Sequence, residues 1–386
     1  MSGVERVDAP TMPQPSPHPR KRRRWVRIAL FALIAVLVAP LIGLGVFLIA
    51  VPTPTDGFSP ESWEPGELTP FPAEATIPAA VHQLSDQRIH GPEDVVVDGQ
   101  GRAYTGDRDG IIWRFPDDGG DAQRWADVGG RPLGMSFAAD GRLIVANHGL
   151  GLQAVSPDGT VEILVDAVAG APILFANDLD ISSDGVVYFS DSSSRYNTTT
   201  LGPDSSSYLL PDAIDGRASG RLLAHDLVSG RTRVLLDDVY FPNGVALTAD
   251  ESAVWVAESN RYRLIEYNLA DGATTTLLDN LPGTPDNIDR DADGRMLVAI
   301  YERNSALDSL VLPFDLARQV LIRLPSALFV NEEDPLSGGI IVAAPDGNVD
   351  RYVAGLTPAA TSAHPVGDRW YLGALLGQPV RWMEAP

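Results

Sequence analysis

The sequence predicts an all-β fold, a six-bladed β-propeller preceded by a single transmembrane helix. Three observations predict it. Residues 28–51 form one long apolar stretch behind a basic cluster. After residue 75 no segment keeps a helical period, and short runs rich in Val, Ile, Leu and Tyr alternate with Gly, Asp and Pro turns, the pattern of β-strands. A strand–turn–strand unit then recurs with a base period near 42 residues, the size of a four-stranded blade.

The N-terminal elements come first. Residues 1–27 hold seven basic residues against Glu5 and Asp8 and read as a basic cytoplasmic tail, Pro- and Ser-containing in its first part. Residues 28–51 are 24 uncharged residues, and at ~1.5 Å each they span the ~30 Å hydrocarbon core with some tilt. The RKRRR cluster ahead of them holds the N-terminus in the cytoplasm and places the rest of the chain outside. A cleaved signal peptide is the alternative, but the run is long for one and no clear A-x-A site follows it. Residues 52–75 are a Pro-rich linker, expected to run extended along or off the membrane.

Residues 76–386 carry the repeat, in DVVVDGQGRAYTGDRDGIIWRF, GMSFAADGRLIVANHGLGLQAVS, DLDISSDGVVYFSDSSSRY, GVALTADESAVWVAESNRYRLIEYNL, NIDRDADGRMLVAIYERN and a degenerate copy at 364–382. The turn positions Gly101, Gly141, Gly185, Ser252, Gly294 and Gly367 are spaced 40, 44, 67, 42 and 73 residues apart. The two long intervals mark insertions. The first, 197–220, is polar and Ser-rich; the second, 308–336, contains VLPFDLARQVLIRLPSALFV. That apolar run reads as a short helix capping the site, a membrane-touching face, or a long loop packed on the domain.

Charge narrows the partners. The net charge is −22 and the first 27 residues contribute +5, so the remainder stands near −27. A body that acidic repels phosphate backbones, and nucleic acid is not an expected partner. The absence of cysteine excludes disulfides, thiolate metal sites and a Cys nucleophile.

In a propeller the inner strand of each blade begins near the central channel, so residues just ahead of these strands converge. At those places stand Glu93 and Asp94 in GPEDVVVD, Asn177 and Asp178 in FANDLDIS, Asn243 in FPNGVALT, and Asp286 and Asn287 in TPDNIDR. Singly each is a common turn dipeptide. Four sets in phase with the repeat read as a metal site, and carboxylate and amide oxygens without His or Cys select Ca2+ over zinc.

The segments GPEDVVVD, YTGDRDG, FANDLDISSDGVVYFSDSSSRY, FPNGVALTADES, VAESNRYRL, LPGTPDNI and WYLGALL resemble the strictosidine synthase-like family, most of all its adipocyte plasma membrane-associated branch. They agree in order, spacing and blade phase from Gly91 to Leu376, and that branch also has a short cytoplasmic tail and one N-terminal anchor. The wider group of gluconolactonases, paraoxonases and diisopropylfluorophosphatase consists of six-bladed propellers with an axial calcium. The resemblance implies that Glu93, Asn177, Asn243 and Asp286 are calcium ligands, with Asn287 a fifth as in paraoxonase-like members. It implies a second, buried calcium at Asp94 and Asp178, or else caps of the strand starts. Asp286 would serve as base or nucleophile, and His148 in VANHGLG as a proton shuttle or a rim residue without a role.

A calcium ion open to the channel polarises a lactone or ester carbonyl and stabilises the oxyanion formed on attack. The expected function is therefore a membrane-anchored, calcium-dependent lactonase or arylesterase acting on a small-molecule lactone or ester. The alternative is a non-catalytic, calcium-stabilised binding module. A strictosidine synthase-type condensation would need a base near Glu302, yet those enzymes depart from the calcium pattern that this chain keeps. Ser192–Ser194 lack the G-x-S-x-G elbow of a serine hydrolase.

Overall fold

The computed structural model describes residues 19–61, 63–68, 75–117, 120–202, 207–329 and 338–386; the first 18 residues of the expected tail, part of the linker and parts of both insertions lie outside them. The chain divides into two compact units, Met1–Pro52 and Thr53–Pro386. In the first, helix α1 (Pro19–Ala50) contains Arg24–Ala50, 27 residues whose most apolar 18-residue stretch has a mean hydropathy of 2.8. At ~1.5 Å per residue that is ~40 Å, long enough to cross a bilayer.

In the second unit six four-stranded antiparallel sheets form the blades. Each inner hairpin is built by its turn chemistry. Asp98 closes a turn onto Gly101 and also accepts from the Gln100 and Arg102 amides, and Asp291 does the same with Gly294, Asp293 and Arg295. Gly101, Gly141, Gly185 and Gly294 take the left-handed conformation that ends such a turn. In the fourth blade Glu251, not Ser252, holds that place at φ 55°. The spacing was one residue off because no glycine marks the turn. The Glu251 carboxylate accepts from the amide and hydroxyl of Ser183 in the next blade, which offsets the ~1 kcal/mol that a left-handed non-glycine costs.

The core is shared between blades. Six apolar clusters each join two neighbours, for example Val96, Tyr104 and Ile112 of blade one against Met135, Leu143 and Val145 of blade two, and Trp255 and Leu264 of blade four against Val298 and Ile300 of blade five. Each fully buried side chain of this kind contributes ~1.5–3 kcal/mol. An exposed pair such as Arg124–Asp127 contributes below ~1 kcal/mol, so inter-blade packing holds the ring. The sixth blade takes its outer strand, His82–Ile89, from the start of the domain; it pairs with Gln378–Glu384 at the other end. This explains the degenerate last repeat: its fourth strand lies at the opposite end of the sequence.

Both insertions are helical. Between the second and third strands of blade three lie α2 (Thr198–Leu201) and α3 (Leu209–Asp215); at the same place in blade five lie α4 (Ser305–Leu310) and α5 (Asp315–Leu321). Together they form a cap. The linker differs from the extended spacer expected of it, for residues 53–61 and 63–67 are strapped onto this cap and the blade-four loops beside it. Arg318 donates to the carbonyls of Glu61 and Trp63, Arg303 to Gly66, Asn280 to Glu67, and Arg195 to Thr55 Oγ1 and the Asp56 carbonyl. Trp63 packs 5.5 Å from Tyr262 with the Arg261 guanidinium 4.5 Å from its ring. A Pro-rich strand has few internal partners for its carbonyls, and scattered arginines of the propeller supply the donors.

Candidate metal centre in the central channel

Five inner strands share one irregularity. Their pairing register slips between Pro132 and Met135, Ala176 and Leu179, Pro242 and Val245, Pro285 and Ile288, and Ala360 and Ala363. Each slip is a bulge, which frees two residues from the ladder and re-aims their side chains. In blades three, four and five the first freed residue is Asn177, Asn243 or Asp286, and the second is Asp178, Gly244 or Asn287. Glu93 and Asp94 hold the matching places ahead of Val95 in blade one. Four expected ligands thus share one phase, while Asn287 falls in the phase of Asp94 and Asp178. In blade two the first place is Leu133, which offers no ligand.

All five expected ligands are buried, none more than 6% exposed. Asn243 donates its amide N–H to Asp286 Oδ1. Asn177 donates to Ser192 Oγ at 2.9 Å, and that hydroxyl donates to the Pro242 carbonyl at 2.7 Å. These bonds fix both carboxamides with their oxygens turned away, and Asn177 Oδ1, Asn243 Oδ1 and Asn287 Oδ1 have no donor although fully enclosed. Burial, and then the charge of Glu93, push the Asp286 carboxyl well above the usual range, with the Asn243 amide and Arg131 pulling it back. Two carboxylates and three donor-less amide oxygens meet the requirement of a hard divalent cation, whose charge would hold Asp286 ionised. The residues present fit calcium.

Hydroxyls from the second strands, from the turn that follows one of them and from the inner strand of blade six lock this ring. Ser190 donates to the Asn243 carbonyl, Ser259 to Pro285, Thr105 to Asp94 and Thr361 to Glu93. The polar runs that end the second strands are the only sequence signal of Ser190, Ser259 and Thr105, while Thr361 sits in the inner-strand bulge of blade six. Gly244 has a packing reason: a Cβ there would lie 2.4 Å from the Asp286 carbonyl and 2.5 Å from the Ile288 amide, both backbone. Gly244→Ala is therefore expected to cost about 2–4 kcal/mol, by analogy with overpacked cores, and to weaken calcium binding. Urea unfolding and calcium titration check both.

The second phase has a structural use. Asp94 accepts from its own strand at Val95 and from Met135 of the next blade; Asp178 likewise accepts from Leu179 and Val245, and Asp180 from Ile181 and Leu247. These carboxylates staple adjacent inner strands. Among the described residues no group of three or more His, Asp or Glu is gathered as a metal site. His364 pairs through Nδ1 with Asp289 at 3.0 Å. Glu302, at the end of its strand, is exposed.

His148 ends the second strand of blade two, opposite Arg131 in register. It is 1% exposed, stacks on Phe175 at 3.7 Å and meets Tyr208 edge-on at 4.6 Å. Neither ring nitrogen has a partner. Burial, aided by Arg131, pushes it down to about 3, so the ring is neutral at physiological pH. Phe175, Tyr208, Phe241 and Leu133 make an apolar wall beside the ligands, closed by Leu201 of α2 and Leu209 of α3.

The cap carries its own buried acid. Asp212 of α3 accepts from Ser193, Asn260 and Ser219, yet burial pushes it up to about 7. A carboxyl raised in the folded state binds its proton more tightly there than unfolded. Its contribution is therefore full below the ordinary carboxylate range and is lost as the pH rises through about 7. Asp212→Asn is expected to remove this loss, by an amount bounded at about 4 kcal/mol, seen as a flatter urea midpoint between acid and neutral pH.

Two family models match the chain: strictosidine synthase over residues 177–273 and the strictosidine synthase-like N-terminal region over 79–115. Strictosidine synthase-like protein 4 of Arabidopsis thaliana is 28% identical over 335 residues, covering 82% of this chain and 88% of that protein. The adipocyte plasma membrane-associated protein of Danio rerio is 33% identical over 295 residues, 71% of this chain and 68% of the relative. Among solved structures, a gluconolactonase from Xanthomonas campestris superimposes with a TM-score of 0.57 at 17% identity over 84% of this chain and 99% of that one. The calcium-binding protein regucalcin from Agrobacterium tumefaciens gives 0.57 at 14% identity over 80% and 95%. Those two share the fold. With relatives of this identity and coverage, the chain belongs to the strictosidine synthase-like family, which includes the adipocyte plasma membrane-associated proteins.

Proposed function

We infer that this protein is a calcium-dependent hydrolase of lactones or aryl esters, held at a membrane by α1 with the propeller outside the cytoplasm. The observation that carries the reading is the set of three buried carboxamide oxygens without donors, Asn177, Asn243 and Asn287 Oδ1, beside Glu93 and Asp286. These five residues would hold the calcium. When bound it supplies a Lewis acid for the carbonyl oxygen and the developing oxyanion. Asp286 is the proposed base or nucleophile. His148, neutral and enclosed, would hand a proton between substrate and water through its two free nitrogens without resting as a cation. The wall of Phe175, Tyr208 and Phe241 takes the apolar part of the substrate and excludes bulk water. Gluconolactonase and calcium-binding regucalcin, which share the fold, supply the chemical precedent. Outward orientation rests on the basic residues ahead of the apolar span.

One observation favours a second reading, a calcium-stabilised binding module: the ligands are nearly sealed beneath the cap. Turnover of phenyl acetate and a lactone panel, with and without chelator, separates the two. Chelator-sensitive hydrolysis is expected; calcium binding without hydrolysis of any ester or lactone would leave the binding module.

A further inference from the structure

Among the enclosed unpartnered atoms of the channel, two kinds call for ligands of opposite charge. The amide oxygens of Asn177, Asn243 and Asn287 ask for a cation. Arg131 asks for the reverse. It begins the inner strand of blade two, where its Nη2 lies 3.1 Å from Glu93 Oε2 while its enclosed Nε–H has no acceptor. The backbone beneath it is fixed: Asn147 Oδ1 accepts from the Arg131 amide at 2.9 Å, and the Asn147 side-chain amide donates to the Gly129 carbonyl and to Gln153. Its charge is felt at both Asp286 and His148. Its ion pair with Glu93 uses Nη2 alone and leaves the enclosed Nε–H unexplained, and a guanidinium beside a divalent ion opposes that ion's binding. The two positive charges become compatible when a negative group of the substrate lies between them.

We propose that Arg131 is a specificity residue that binds a carboxylate carried by the substrate next to the scissile bond, so that the preferred substrates are carboxylate-bearing esters or lactones. The free Nε–H is one prong of the planar fork that guanidinium groups present to carboxylates, with Nη2 as the other. A carboxylate there competes with Glu93 for Nη2 and leaves both Glu93 oxygens to the metal. Binding of the carboxylate stands independently of turnover, whereas the substrate class rests on the hydrolase reading above.

The experiment has two arms on the full chain in detergent with calcium. In the first, the unfolding temperature is followed with glutarate and, as the neutral control, glutaramide. Glutarate alone is expected to raise it, and Arg131→Gln to abolish the rise while binding calcium as tightly as the parent or more tightly. In the second, kcat/KM is compared for the para-nitrophenyl monoester of glutaric acid and for para-nitrophenyl acetate. The anionic ester is expected to be preferred by about tenfold or more, and Arg131→Gln to remove most of that preference, in line with a buried charge left unpaired. Arg131→Lys, which keeps the charge, is the folding control and is expected to retain only part of the preference. Equal stabilisation by glutarate in parent and Arg131→Gln overturns the proposal. So does hydrolysis of the neutral ester at the same kcat/KM as the anionic one, an outcome that leaves the hydrolase reading standing. Arg131-dependent glutarate binding with no hydrolysis of either ester supports the carboxylate site and removes the hydrolase.

Discussion

Asp286→Ala is expected to lower calcium-dependent turnover by at least about 10³-fold, the scale on which a single preorganised electrostatic group acts in an active site. Two losses combine. One of the two carboxylates disappears, and the Asn243 amide loses the acceptor that turns its oxygen inward. The stability effect has opposite signs in the two states of the metal. Without calcium, Asp286 is a buried carboxyl beside Glu93 with its ionisation disfavoured, so alanine is expected to leave the metal-free protein as stable as the parent or more so. With calcium the parent gains the linkage energy of binding and the variant gains little. Unfolding temperatures measured with chelator and with calcium should therefore cross over between the two proteins. Parallel curves, with the same calcium-induced shift in both, would remove Asp286 from the ligand set.

The phase of the proposed ligands was legible in the sequence because the inner strands of blades two to five carry the same bulge at the same distance from their turns. A common backbone irregularity turns recurring positions into recurring directions, and Asn177, Asn243 and Asp286 were readable for that reason. Asn287 was readable only through its adjacency to Asp286, because the register puts it in the phase of the stapling carboxylates although its enclosed oxygen lacks a donor as those of Asn177 and Asn243 do. Arg131 was invisible because it lies in a blade whose ligand place is Leu133. Ser192 gave no sign of its role, since what matters is a hydroxyl bridging two blades. The closing strand His82–Ile89 and the strap were missed for one shared reason. Their partners lie far away in sequence, and neither strand pattern nor proline content encodes a distant donor.

The strap makes the second strong prediction. Arg318 is completely buried and donates to four carbonyls: Leu312 at 2.6 Å, Glu61 at 2.8 Å, Ile214 at 3.1 Å and Trp63 at 3.4 Å. One side chain thus ties α5, α3 and the strap together. Arg318→Met keeps most of the stem and removes every donor, leaving enclosed carbonyls unpaired, at a cost of about 3–5 kcal/mol. Lysine is not expected to rescue it, because an ammonium cannot reproduce the planar spread of the guanidinium. The loss should be local before it is global: Arg303 on Gly66 and Arg195 at Thr55 hold the strap's ends, while its middle keeps only the Glu61 amide on the Asp215 carbonyl, the Tyr240 hydroxyl on Glu61 and the ring contacts of Trp63, so the middle opens first. Hydrogen exchange should accelerate at Glu61 and across 207–215 in Arg318→Met while the inter-blade strands keep their protection, and proteolysis should cut within 56–66. If exchange there matched the parent, the buried guanidinium would not be what holds the strap, and the Glu61 amide bond to Asp215 together with the packing of Trp63 against Arg261 and Tyr262 would have to carry it.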